Sequence, residues 1–134
     1  MFVIEDQDGE RFGYYYNGKL KSKDNRNLPD SKTFHFNLHS LNNRLHQPMK
    51  FKSIEHKYGG CKMFTNVNQL LISLGNINLM KCINGISSTV EEYDEHFDYQ
   101  GISNAICGRT RYEEEEYWEG EHFIPKKITV IQMK

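Results

Sequence analysis

The stretch Thr33-Phe34-His35-Phe36-Asn37-Leu38-His39 alternates apolar and polar residues without a break. A period of two is the signature of a half-buried β-strand. It predicts Phe34, Phe36 and Leu38 on the buried face and His35, Asn37 and His39 on the exposed one. On a helix, His35 and His39 would stand one turn apart and could share a metal. On a strand that rises ~3.3 Å per residue they lie ~13 Å apart, so both are read as exposed strand histidines.

The same rhythm continues on either side. Residues 2–4 and 12–16 are rich in β-formers and flank Gln7-Asp8-Gly9-Glu10. Asp-Gly between two such runs predicts a hairpin. Asp6-x-Asp8-Gly9 also opens like a calcium loop, but the third acid and the closing Glu are missing. Asn17-Gly18 marks a second turn, and the polar residues 19–32 read as a loop. Met49 and Phe51 oppose Lys50 and Lys52 in the next strand. Gly59-Gly60 breaks the chain before short apolar runs at 61–65 and 69–74. Gly75-Asn76 turns into residues 77–83, and Asn84-Gly85 turns again. The last strand lies within Phe123-Ile124-Pro125-Lys126-Lys127-Ile128-Thr129-Val130-Ile131-Gln132-Met133.

Strand-like runs about every ten residues are the rhythm of antiparallel sandwiches, not of β-α-β units. The expected fold is mainly β, α+β at most. It is a two-sheet antiparallel β-sandwich with few short helices, one of them near residues 99–106, in a single domain over residues 1–134. Phe34, Phe36, Leu38, Phe51, Leu79, Ile128 and Val130 are expected in its core.

With 134 residues the chain is long enough for one hydrophobic core. No apolar run approaches the ~20 residues of a membrane-spanning helix. Met1-Phe2-Val3-Ile4 meets Glu5 and Asp6 at once, so no signal-peptide apolar region is seen. Cys61, Cys82 and Cys107 are odd in number and far apart, which predicts reduced thiols of an intracellular, cytoplasmic protein rather than a disulfide framework. Apart from His35 and His39, which a strand holds apart, no paired Cys or His stands at zinc-site spacing, and no cofactor is expected.

A net charge of −1 hides an asymmetry. Residues 91–121 hold eleven acids against Arg109 and Arg111; the rest of the chain holds fifteen Lys and Arg against seven Asp and Glu. Like charges at that density are expected on the surface, because too few cations stand among them to pair them in a core. Glu113, Glu114, Glu115 and Glu116 read first as a solvated run. The aromatic pair Tyr117 and Trp118 within it either caps the core or, with those acids, forms a contact patch for a protein partner. Lys19, Lys21, Lys23, Arg26 and Lys32 are interleaved with Asp24 and Asp30, and no stacking motif accompanies them, so no nucleic-acid partner is expected.

Catalytic signatures are missing: no Gly-x-Gly-x-x-Gly, phosphate loop, Gly-x-Ser-x-Gly or His-Glu-x-x-His occurs. Of the three cysteines Cys107, beside Gly108-Arg109, is the candidate reactive thiol. A thiol that reacts with oxidant would have to be exposed and of lowered pKa.

Several elements together resemble a TLDc domain, the module of the oxidation resistance proteins. They are the Asp8-Gly9 turn followed by Phe12-Gly13-Tyr14, the Phe34-x-Phe36-x-Leu38 strand, and the glycine-bearing segment Leu74-Gly75-Asn76-Ile77-Asn78-Leu79. Tyr99-Gln100-Gly101-Ile102 and a final strand introduced by Phe123 complete the set. Thr129 stands where that family often carries a Glu. The resemblance spans the later two-thirds of such a domain, and its helical entry segment has no counterpart ahead of Met1. It implies a β-sandwich flanked by short helices, a link to oxidative-stress resistance, and a protein partner such as a subunit of the vacuolar proton-pumping ATPase. It supplies no active-site residues. The leading expectation is therefore a non-enzymatic interaction module. The alternatives are a redox-active protein using Cys107 and a β-sandwich that holds a sugar or peptide on an aromatic face.

Overall fold

A computed structural model describes residues 1–19, 28–40, 45, 47–54, 60–63, 70–80, 88–91, 95–102, 105–107 and 121–133. Ten strands run in chain order: β1 (Phe2–Asp6), β2 (Arg11–Tyr15), β3 (Phe34–His39), β4 (Met49–Lys52), β5 (Cys61–Met63), β6 (Leu70–Leu74), β7 (Ile77–Met80), β8 (Ser88–Val90), β9 (Glu121–Phe123) and β10 (Pro125–Val130). They form two five-stranded antiparallel sheets, ordered β10-β1-β2-β3-β4 and β5-β6-β7-β8-β9. The mainly-β, two-sheet fold expected from the sequence is the fold observed. No helix occurs among the described residues.

Turn chemistry joins the strands where the sequence places it. At Asp8-Gly9 the glycine takes φ 93°, and Asp6 closes the hairpin by accepting the Asp8 and Glu10 amides on Oδ1, each at 2.9 Å. At Gly75-Asn76 the glycine takes φ 64°. Positive φ at the first central residue of a two-residue hairpin is the geometry that glycine serves best. Residues 99–102, expected in a short helix, instead make a tight turn. Gln100 and Gly101 both have positive φ, and the Ile102 amide donates to the Tyr99 carbonyl at 3.0 Å. Two successive left-handed residues cannot sit in a right-handed helix.

One core joins the sheets. The first sheet contributes Phe2, Ile4, Phe12, Tyr14 and Phe51; the second contributes Cys61, Leu74, Ile77, Leu79, Val90 and Phe123. Phe12 and Phe123 meet edge to face across the gap, centroids 5.0 Å apart. At one side the chain passes from β9 in the second sheet to β10 in the first through the single residue Ile124. Opposite, residues 96–98 bond to β4 and its continuation: the Asp98 amide donates to Lys52 and the Ile54 amide to His96. That segment carries Phe97 and Tyr99 into the core, followed by Ala105, Ile106 and Cys107. In this part of the acidic stretch Glu95 and Asp98 are exposed, as expected of its acids, but its apolar residues are core.

The register of β3 departs from expectation. His35 and Asn37 are buried, and Phe34 and Leu38 face outward, half-buried and 46% exposed. Phe36 is buried, but on the outer face, lying on Gly13 rather than in the central cluster. Ile128 and Val130 share the inner face with Ile4 and Phe2, yet they stand exposed because β10 is the outermost strand. Phe51 and Leu79 are buried as expected, and His39 is exposed.

Candidate functional site

The reversal of β3 decides which surface is offered to solvent. Tyr15 pairs with Phe34, Gly13 with Phe36, Phe36 with Lys50 and Phe34 with Lys52. Directly paired residues project on one side of a sheet, so these side chains form a continuous outer face with Leu38. The Tyr15 and Phe34 rings stack at 4.9 Å, Phe36 meets Phe34 edge-on at 6.1 Å, and Lys50 Nζ lies 4.8 Å from the centre of the Phe34 ring. Gly13 makes this packing possible. A side chain there would collide with the Phe2 carbonyl and the Phe36 ring, so only glycine lets Phe36 lie flat.

Cations border the aromatic centre. Lys50 and Lys52 stand exposed on one flank; Arg11 and Lys127 stand on the other. Among the described residues Glu5 is the acid of this face, and it is already engaged, 3.3 Å from Arg11 Nε and 3.6 Å from Lys126 Nζ. The face is thus apolar at its centre and positive at its margins. Such a surface suits a partner segment with apolar side chains and net negative charge.

The inner face holds a different polar arrangement. His35 is wholly buried, stacked on Phe97 at 4.0 Å. Its Nε2 lies 3.0 Å from the Leu74 carbonyl and its Nδ1 lies 3.2 Å from the Tyr99 hydroxyl. A carbonyl only accepts, so Nε2 carries the proton and Nδ1 accepts from Tyr99. Burial lowers the pKa of His35 to about 4, against a smaller opposing effect of the Leu74 bond. With both nitrogens engaged inside the protein, this imidazole is a structural link between the sheets rather than a base for a substrate.

Nearby, Asn37 Nδ2 donates to the Ile106 carbonyl at 2.7 Å and to Glu10 Oε2 at 3.2 Å. Asp6 Oδ2 and Asn37 Oδ1 are buried without a hydrogen-bond partner. Burial, the largest effect, raises the pKa of Asp6 against the two amide bonds to its Oδ1. Among the described residues, no three His, Cys, Asp or Glu side chains gather as a metal site.

The expected reactive thiol is poorly served. Cys107 is fully buried in the core, so the exposure required of an oxidant-sensing thiol is not met. Cys61 is buried too, and burial pushes its thiol up to about 11, well away from thiolate chemistry at neutral pH. Cys82, Arg109 and the proposed contact residues Glu113, Glu114, Glu115, Glu116, Tyr117 and Trp118 lie outside the described residues. Sequence reasoning missed the outer face because it assigned Phe34 and Leu38 to the core. The available signal was Tyr15 and Lys50, whose strands also alternate and whose pairing with β3 decides the side. Among the described residues, no helix is long and apolar enough to cross a membrane. Compared with protein-family models, curated proteins and solved structures, the chain finds no match.

Proposed function

We propose that this chain is a non-enzymatic protein-interaction module of the TLDc type, and that it contacts its partner through the outer face of the β1–β4 sheet. The observation that carries this reading is the half-buried aromatic pair Tyr15-Phe34, braced by the buried Phe36 beneath it, with exposed Leu38 and a border of Arg11, Lys50, Lys52 and Lys127. Apolar side chains held on a rigid sheet cost little entropy to dock, and a charged margin steers and orients the partner. The TLDc resemblance supports the module class and suggests the vacuolar proton-pumping ATPase as a place to look for that partner, along with a role in oxidative-stress resistance. A protein ligand is favoured over a redox role for Cys107, whose thiol is buried in the core. The acidic run at residues 113–116 with Tyr117 and Trp118 is a second contact that the sequence proposes.

The test is affinity capture with the tagged chain from its own cells, comparing wild type with Leu38→Glu and with the double variant Lys50→Glu/Lys52→Glu. Each substitution sits on an exposed position and should leave the circular dichroism and melting temperature unchanged. The expected result is a protein retained by wild type and lost, by about tenfold or more in affinity, from both variants. Identical retention by all three chains would rule out this face.

A further inference from the structure

The edge of the first sheet at β10 carries an inference independent of the outer face. Among the described residues β10 pairs on one side only, with β1. The Met1 amine donates to the Ile131 carbonyl and the Ile131 amide donates back to Met1, each at 2.8 Å. In an antiparallel ladder such mutual pairs recur at every second residue. Thr129 and Lys127 therefore turn their backbone groups toward β1. Ile128 and Val130 turn theirs away, to an edge that no described residue pairs. Both also expose apolar side chains: Ile128 is 42% and Val130 64% exposed. Behind them Phe2 and Ile4 are buried, so the apolar inner face runs out to this edge. Proteins blunt open edges with charge or proline. Pro125, Lys126 and Lys127 do so in the first half of β10; residues 128–133 contain neither.

We infer that a second copy of this chain pairs here, β10 against β10 in antiparallel sense, with the two-fold axis at Thr129. This register sets Ile128 opposite Val130 of the other copy, twice, as mutually hydrogen-bonded pairs. It sets Lys126 opposite Gln132 and Lys127 opposite Ile131, so no two cations face each other. An axis at Lys127 would oppose Lys127 to itself, and like charges directly opposite are destabilising. The two β1–β4 sheets then become one ten-stranded sheet, and the β-branched pairs cover the exposed ends of both cores. An edge contact of this length buries far less than the ~1,600 Å² of a standard interface, so the dimer is weak and concentration-dependent.

Sedimentation equilibrium over a wide concentration range tests the association. Wild type should move from one chain mass toward two as concentration rises. Val130→Pro removes an outward amide while leaving the β1 ladder intact, and Ile128→Lys adds edge charge. Both should stay at one chain mass with unchanged circular dichroism. Register is tested by cysteine placement under mild oxidation. Thr129→Cys should cross-link to its own copy, because non-hydrogen-bonded pairs bring Cα atoms to ~4.5 Å, within disulfide reach. Lys127→Cys should not. A wild-type chain of single mass at every concentration, a dimer that survives both edge substitutions, or equal cross-linking at 127 and 129 would overturn the inference. The first of these outcomes would leave the edge to a strand from another protein.

Discussion

His35 is held neutral by its burial, with the ring sealed between Phe97 and the β6–β7 turn, against a smaller opposing effect of the Leu74 bond. This links its burial to acid stability. The unfolded imidazole takes up a proton near pH 6.5, whereas the folded one waits until about 4. Between those values the unfolded chain binds more protons, so stability falls as pH drops from 6.5 and levels off near 4. The full effect is about 3 kcal/mol, at ~1.4 kcal/mol per unit. Asp6 works in the opposite sense: its raised pKa means stability is lost as pH climbs past the ordinary carboxylate range. Urea unfolding at pH 7 and pH 4.5 should show a large midpoint drop for wild type and a much smaller one for His35→Phe. Gly75 is bound to the same residue. A side chain there would approach His35 Nε2 to 2.5 Å and would sit at φ 64°, so Gly75→Ala should cost ~1–3 kcal/mol, read from the same unfolding curves. None of this was legible in the alternation of residues 33–39, because histidine and asparagine count as polar in any periodic reading. What reverses the reading is the specific hydrogen bonding that each finds inside.

Strands β1 to β7 and β10 were legible as short runs of β-forming residues, two of the hairpins being closed by Asp8-Gly9 and Gly75-Asn76, whereas β8 and β9 were not read from the sequence. Which face each buries was legible for β4 and β7, where apolar and polar residues separate cleanly at Phe51 against Lys50 and Lys52, and at Leu79 against Asn78. It was not legible for β3, which carries apolar or aromatic character on both sides, nor for β10, whose apolar residues reach the sheet edge. The packing role of the stretch 95–107 was not legible because it lies within the acid-rich span 91–121, while Phe97, Tyr99 and Ile106 do the packing. Two element-level outcomes follow. The hairpin of β1 and β2 depends on Asp6 Oδ1, which satisfies two amides. Asp6→Ala should lower stability by ~1–3 kcal/mol, measured by urea unfolding at pH 7. If the acidic run steers a basic partner, changing residues 113–116 to Gln should slow association and flatten its salt dependence without altering the melting temperature. Stopped-flow mixing across ionic strength measures both.

The two sheets share one core and the chain crosses directly between them at Ile124, so the described fold should unfold as one cooperative unit. Phe12 and Phe123 join the sheets directly. Each Phe→Ala change should cost ~3–5 kcal/mol, and a double-mutant cycle should return a coupling of about 0.5–1.5 kcal/mol. Additive effects would mean that the sheets do not pack through this contact. The functional reading depends on the same packing. If β3 points His35 and Asn37 inward, then Tyr15, Phe34 and Leu38 are left outside with Lys50 and Lys52, over the buried Phe36, and the contact face exists. If β3 points the other way, that face is core and the proposal has no surface. The most direct measurement is an NMR titration of the His35 ring in the folded protein. The structure predicts a neutral ring protonated at Nε2 that resists titration until about pH 4. Ordinary titration near pH 6.5 in the folded state would put His35 in water and Phe34 in the core, and would contradict both the fold's register and the face assigned to the partner.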